Sequence, residues 1–119
     1  MTKNFVSLLA NVPPDQLQAQ LTQASPVTWV AHGDPPFLIL HSDDDRIVYP
    51  EQSERLAWDL TANGVPNEYI LVHGGGHDFN QPGGSPDAAA ITTIVVAFFL
   101  RTLVLHQPVG TSSVLKPSP

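Results

Sequence analysis

The sequence predicts an α/β fold in which short parallel strands are flanked by helices. Two apolar runs, 37–41 and 68–72, have the length and composition of buried strands. A segment with helical spacing of its apolar residues, 50–63, lies between them, and a second apolar helix is predicted up to about residue 105. Alternating strands and helices are typical of a parallel sheet with crossover connections.

The chain before the first strand is predicted to hold one short helix. Residues 1–23 read as a loop followed by this helix, which begins at the Pro-Pro-Asp sequence 13–15. Leu17 and Leu21 share one of its faces. A connector rich in Pro and Gly follows over 24–35, and we expect its Trp29 to pack on the core.

The first strand is a continuous apolar run without alternation, which suits a parallel strand buried on both faces. A turn is predicted over 43–49. Pro50 then suits the first position of the next helix, and Gly64 suits the left-handed residue that ends it. The apolar face of this helix is formed by Leu56, Ala57 and Leu60.

After the second strand, a Gly-rich loop is predicted over 74–84, and Ser85 followed by Pro86 is expected to cap the last helix. Pro, Gly and Ser dominate from residue 107 onward. The predicted organisation is therefore one partial α/β domain, 1–106, and a flexible tail, 107–119.

Composition excludes several classes of function. The net charge is −6, and the five Lys and Arg residues are scattered, so binding to nucleic acid is not expected. The absence of Cys removes disulfides and thiolate metal sites. No apolar signal region is visible at the start, and the apolar stretch 88–105 is short and interrupted by polar residues. We therefore expect no membrane span, and a cytoplasmic location by default.

Acid and base side chains follow both predicted strands. Asp43, Asp44 and Asp45 come after the first strand, and His77 comes after the second. The carboxyl ends of parallel strands meet at one edge of a sheet, so these loops are expected to lie together. An Asp followed by a His is also the chain order of the last two members of a Ser…Asp…His triad.

The segment 34–48, DPPFLILHSDDDRIV, resembles a DPPFLIxHGxxDxxV motif of bacterial esterases and prolyl-oligopeptidase-like (S9-type) hydrolases in the α/β-hydrolase superfamily. Gln52-Ser53, Ala24-Ser25-Pro26, Gly64-Val65-Pro66 and the GGHDF sequence 75–79 are similar to further elements of that family, and the resemblance covers about residues 8–105. It implies the C-terminal part of an α/β-hydrolase fold.

Carried over by position, the resemblance implies that Asp45 is the triad acid and His77 the general base. Ser42, Tyr49 and Asp78 depart from the family pattern, which usually has Gly, Pro and Gly there. A nucleophile sequence Gly-x-Ser-x-Gly occurs nowhere in the 119 residues. We therefore expect the chain to be inactive alone, and the resemblance implies no cofactor.

Other interpretations of these residues are open at this point. The sequence 73–76, HGGG, matches an oxyanion loop, but it directly precedes His77, so a flexible loop is the favoured interpretation. Asp43 and Asp44 are interpreted as a solvated turn with Asx hydrogen bonds. A metal site could be built from His41, Asp43, His73 and His77, although the spacing matches no metal signature, and His41 is expected to bond to backbone. Ser25 and Ser85 do not lie on a strand-to-helix elbow.

Three functions follow. The first is the C-terminal portion of a serine hydrolase, with a carboxylic ester as the first expected substrate and a peptide as the second. The second is a non-catalytic domain that self-associates, because a two-stranded sheet has open edges; a homo-oligomer is expected. The third is a small hydrolase in which His77 activates water, at the low residual rate that a triad without its nucleophile retains.

Overall fold

The computed structural model describes residues 12–116. The predicted loop at the start of the chain and the last three residues of the predicted tail lie outside these residues. The described chain forms helix α1 (Pro14–Ala24), a 3₁₀ turn (Pro26–Trp29), strand β1 (Phe37–Ser42), helix α2 (Glu51–Ala62), strand β2 (Asn67–Val72) and helix α3 (Ala88–Phe99), which continues as a π-helical turn (Leu100–Val104).

The two strands pair in parallel, as predicted, in a register that sets Phe37 opposite Asn67 and Ser42 opposite Val72. Each strand is one residue longer than its sequence prediction. Because the strands end opposite each other, the segments after Ser42 and Val72 leave the sheet at the same edge. This register positions the candidate site.

Helix α2 covers one face of the sheet and supplies two of the four buried residues of the core cluster. Ala57 and Leu60 are fully buried with Val65, and they pack on Ile39 of β1. Phe37, Leu56 and Tyr69 pack against this cluster as well. Gly64 ends the helix with φ +71°, a conformation that glycine adopts without the penalty that a Cβ atom would bring.

The opposite face of the sheet carries Leu38 and Leu40, which are only half-buried. The prediction of a strand buried on both faces therefore holds for the α2 side alone. Arg101, in the turn that follows α3, lies 2.6 Å from the Glu68 carboxylate on this second face. This ion pair connects the turn after α3 to the sheet, and Phe98 is the buried side chain of α3.

Two local predictions were wrong. Trp29 is 67% exposed, because its indole Nε1 donates a hydrogen bond to the Gln23 carbonyl oxygen and the ring stays outside the core. The N-cap of α3 is Asp87, whose side chain accepts from Ala90 N, and not Ser85. Ser85 instead exchanges two backbone hydrogen bonds with His73 in an isolated antiparallel bridge.

The predicted tail contains no helix or strand as far as Lys116, but part of it contacts the sheet. The Gly110 carbonyl accepts a 2.8 Å bond from Asn67 N, the Ser112 hydroxyl bonds to the Asn67 side chain, and Val114 packs against the core cluster. The division into a domain and a tail stays a prediction.

Candidate active site

Asp45 lies three residues beyond β1, and its carboxylate is held by its own turn. The side chain is 4% exposed. Its Oδ1 accepts hydrogen bonds from Ile47 N at 2.8 Å and from Val48 N at 3.0 Å. A short acidic side chain that caps the amides two and three residues onward fixes both the turn and its own rotamer. The orientation of the carboxylate is therefore built into the first loop.

The other carboxylate oxygen, Asp45 Oδ2, faces the second loop. His77 Nδ1 lies 2.8 Å from it, and His41 Nε2 lies 3.2 Å from it. Burial raises the pKa of Asp45, but the hydrogen bonds from His77, Val48 N and Ile47 N outweigh burial and lower the pKa to about 2. Asp45 is thus ionised at neutral pH, so the bond to His77 is an Nδ1–H donated to a carboxylate.

His77 is exposed where Asp45 is buried, with 43% of its side chain accessible. The hydrogen bond to Asp45 raises the pKa of His77, burial lowers it, and the charges of Asp45 and Asp78 raise it further. With Nδ1 occupied, Nε2 is the nitrogen that can accept a proton in the neutral imidazole. Among residues 12–116, Nε2 has no hydrogen-bond partner. An imidazole oriented at one nitrogen and open at the other has the arrangement of a general base.

The loop that carries His77 is fixed by the three side chains that precede Asp45. Asp43 accepts from His73 Nδ1 at 2.7 Å and from Gly74 N at 2.8 Å. Both bonds help to lower the pKa of Asp43, the bond from Gly74 most. Asp44 accepts from Gly76 N at 2.9 Å. Asp43 and Asp44 are exposed and lie in a turn, as predicted, but the predicted Asx hydrogen bonds were wrong, because the partners of both side chains lie across the gap in the second loop.

The same hydrogen bonds argue against an oxyanion role for the HGGG sequence, residues 73–76. Gly74 N and Gly76 N already donate to carboxylates, so these amides are not available to an oxyanion. The buried Ser42 hydroxyl lies 2.8 Å from the Gly74 carbonyl and also within bonding distance of Asp44. The favoured alternative to an oxyanion loop was a flexible loop. The structure shows that residues 73–77 of this segment are hydrogen-bonded to the first loop, and the flexibility of the loop stays a prediction.

His41 occupies a second, buried chain of contacts. Its Nε2 lies 2.8 Å from the Val48 carbonyl, which confirms the predicted bond to backbone, and its Nδ1 lies 2.6 Å from Ser53 Oγ. Ser53 is on the first turn of α2, not on a strand-to-helix elbow. These two bonds connect the end of β1 to α2 through a side chain that is only 8% exposed, and they hold the His41 ring beside the Asp45 carboxylate.

The candidate metal residues do not come together. His73 bonds to Asp43, while His41 and His77 both lie beside Asp45, so the four residues do not form one cluster. Within residues 12–116, no three His, Asp or Glu side chains are grouped so as to hold a metal ion. Ser25, the C-cap of α1, and Ser85, paired with His73, are both engaged as structural residues.

Two concave regions flank His77. One has a volume of about 370 Å³ and is lined by Asp44, Arg46, Ile47, Gly76, His77 and Gln81. The other, of about 200 Å³, is lined by Leu40, His41, Asp45, Val48, His77 and Phe79. Phe79 has φ +58°, which is uncommon for a bulky residue and is found most often at functional sites. The imidazole thus stands between a polar and a more apolar recess.

Sequence reasoning missed the roles of Ser53 and Phe79. Both lie in motifs that were recognised, the Gln-Ser pair at the start of α2 and the segment 75–79, so the signal was present without a physical role attached to it. Their partners lie beyond the reach of local patterns. Ser53 contacts a strand end 12 residues away, and Phe79 shares a recess with Leu40 and Val48.

A family model described as BD-FAE matches residues 2–60, just under half of the chain, which includes Asp45 but not His77. The solved structure described as "Thermogutta terrifontis esterase 2 phosphonylated by sarin" superposes with a TM-score of 0.55 over 90% of this chain, at 23% sequence identity. This chain has an α/β-hydrolase fold.

The fold predicted from the motifs is thereby confirmed. The match covers 39% of the esterase, so this chain spans about two-fifths of that protein's length. No curated protein matched the sequence. Within the described residues, no helix has the length and apolar character needed to cross a bilayer. The catalytic roles of Asp45 and His77 stay predictions.

Proposed function

We propose that this chain supplies the Asp–His half of a serine hydrolase, and that its substrate is a carboxylic ester. One observation carries the proposal. A buried, ionised Asp45 holds His77 Nδ1 at 2.8 Å, and the open side of the imidazole faces two recesses. The Thermogutta terrifontis protein with the similar fold is itself described as an esterase, which supports an ester over other substrates.

We infer that the serine hydroxyl comes from another polypeptide portion. Neither Ser42, buried and bonded to Gly74, nor Ser53, bonded to His41, lines a recess beside His77. The missing portion would carry a Gly-x-Ser-x-Gly elbow and the oxyanion donors. It can be a covalently preceding segment or a separate chain.

In the completed site, His77 Nε2 accepts the proton of the serine hydroxyl as the oxygen attacks the ester carbonyl. His77 then returns that proton to the leaving alcohol, and a water molecule repeats the sequence to release the acid. Asp45 stays ionised throughout and stabilises the imidazolium. Since its pKa is about 2, it does not compete with His77 for the proton.

The second portion has an open surface on which to pack. Within residues 12–116, β1 pairs only with β2, which leaves its other edge without a neighbour. Apolar side chains at the end of α3 and just beyond it are more than half exposed; they are Val96, Phe99, Leu100, Leu103, Val104 and Leu105. A strand beside β1 and a layer over these residues would complete the sheet.

The test is complementation. The chain is assayed with p-nitrophenyl acetate and butyrate, alone and with the nucleophile-bearing N-terminal segment of an esterase of the same fold. We expect hydrolysis only in the mixture or fusion, and its loss in His77→Ala. His106→Ala, a histidine outside the site, is the matched control and should retain the rate. Absence of activity in every combination would defeat the proposal, whereas cleavage of a peptide substrate in preference to the esters would make it a peptidase.

The exposed apolar residues also support a second candidate, a non-catalytic domain that associates with itself. In that case two copies would cover each other's α3 surface and β1 edge, and light scattering at micromolar concentration should give at least the mass of a dimer. Leu103→Glu should return the chain to monomer, because it places a charge within the covered surface. A monomeric mass for the unaltered chain would contradict this candidate.

A further inference from the structure

The path from β2 to His77 has an unusual degree of backbone freedom. Three consecutive glycines, Gly74, Gly75 and Gly76, connect the strand end to the histidine, and all three have φ between +69° and +94°. Glycine reaches this region readily but loses the most conformational entropy when it is fixed. Within the loop, the carbonyl oxygens of Gly75 and Gly76 accept bonds from Gln81 N at 3.1 Å and Phe79 N at 3.2 Å. The amides of Gly74 and Gly76 are fixed from outside the loop, by carboxylates that follow β1.

Of the first-loop side chains that bond to the backbone of the second loop, Asp44 makes its contact nearest to His77. Its Oδ1 accepts a 2.9 Å bond from the amide of Gly76, the residue directly before His77. The Ser42 hydroxyl, 1% exposed, also bonds to this Oδ1. A carboxylate that accepts from a backbone amide makes a charge-assisted hydrogen bond, stronger than one between neutral groups. The acceptor is thus anchored in the first loop.

We propose that Asp44 is a positioning residue, which sets the place of the His77 imidazole relative to Asp45 by fixing the Gly76 peptide. The inference rests on the proposed function in that His77 is the base being positioned. Asp44 touches neither the reacting atoms nor Asp45's partner nitrogen, so it acts only through the backbone.

Asp43 cannot replace Asp44. It binds His73 and Gly74, at the start of the glycine run, so Gly75 and Gly76 remain downstream of its contacts. The rotation that would carry His77 away from Asp45 is available in those two residues. Asp43 fixes the beginning of the run of three glycines, and Asp44 fixes the end of that run.

The pKa of His77 reports this positioning in the chain alone, without any nucleophile. The groups that act on it are Asp45 through a hydrogen bond and charge, and Asp78 through charge, while Asp44 and Arg46 line the same recess and His41 shares the Asp45 carboxylate. Removing Asp44 changes both a contact and a charge, so two substitutions are needed to separate them.

The experiment is an NMR titration of the His77 ring in the full chain. The variant Asp45→Asn is measured first, because it gives a reference value for the pKa of His77 without a charged partner. We expect Asp44→Ala to bring the pKa most of the way down to that value. Asp44→Asn retains an amide oxygen that can accept from Gly76 N, so it should keep the pKa near that of the unaltered chain.

Asp43→Ala is the matched control, and it should leave the pKa of His77 nearly unchanged. Equal shifts in the two alanine variants, or no shift in a folded Asp44→Ala chain, would overturn the proposal. Should Asp44→Ala fail to fold, hydrogen exchange of the Gly76 amide in the unaltered chain decides. Protection supports the bond, and exchange at the rate of an open loop refutes it. These results do not depend on ester hydrolysis, so they separate a failed positioning role from a failed function.

Discussion

The two loops around Asp45 and His77 and the end of α3 are stabilised in opposite ways. In the loops, consecutive polar side chains from Ser42 to Asp45 each bond to the segment 73–77. Along α3 and the turn after it, large apolar side chains such as Phe99 and Leu103 are exposed. The site geometry is thus specified within one strand–helix–strand unit, whereas the described residues leave much of the α3 surface uncovered.

The largest expected effect tests the polar region. Asp45→Ala leaves the amides of Ile47 and Val48 and the Nδ1–H of His77 without their carboxylate acceptor, and should lower the free energy of unfolding by about 4 kcal/mol. Urea denaturation measures it. Asp15→Ala, which removes an exposed carboxylate from α1, should change stability by less than about 0.5 kcal/mol. Equal effects of the two substitutions would show that the loop network contributes nothing.

A matched pair of phenylalanines sharpens the contrast within α3. Phe98 is 6% exposed and its neighbour Phe99 is 52% exposed. Phe98→Ala should lower the free energy of unfolding, measured in urea, by about 3 kcal/mol because it leaves a cavity in place of a buried ring. Phe99→Ala should cost less than about 1 kcal/mol in the monomer. A cost for Phe99 as large as that for Phe98 would mean that another surface covers it in solution.

The charge of Asp45 makes the polar region sensitive to acid. Its pKa in the folded chain, about 2, lies below the ordinary 3.8, so its contribution is present above pH 3.8 and is lost as the pH falls toward 2. The stability difference between the unaltered chain and Asp45→Asn should therefore narrow by about 2 kcal/mol over that range. Urea unfolding of both chains at several pH values measures it, and a constant difference would contradict the assignment.

The smallest effect concerns the charge beside the base. Asp78 contributes to the raised pKa of His77, so Asp78→Asn should lower that pKa modestly, as measured by NMR, while Asp15→Asn leaves it unchanged. In a complemented hydrolase, activity would then rise at a lower pH, since only neutral imidazole accepts the serine proton. An unchanged or higher pKa in Asp78→Asn would show that this charge does not reach His77.

The sequence predicted the strands, α2 and the Asp45–His77 pair because each depends on local pattern or on a motif with fixed order. It did not predict the partners of Asp43 and Asp44, because those lie about 30 residues away and depend on strand register. Ser85 was mistaken for the cap of α3 because Ser and Asp both favour that position. Trp29 was misplaced because an indole can satisfy its N–H at the surface as well as within a core.

The shared edge at which β1 and β2 end has a consequence for how such a site can diverge. Asp45 and His77 meet because each lies a fixed, small number of residues beyond its strand end, Asp45 after Ser42 and His77 after Val72. Lengthening the connection between α2 and β2 would leave both of these spacings unchanged. One residue inserted after Val72 would displace the imidazole however well every amino acid type were preserved. Loop length after the strands, more than residue identity between them, is what a functioning relative has to keep.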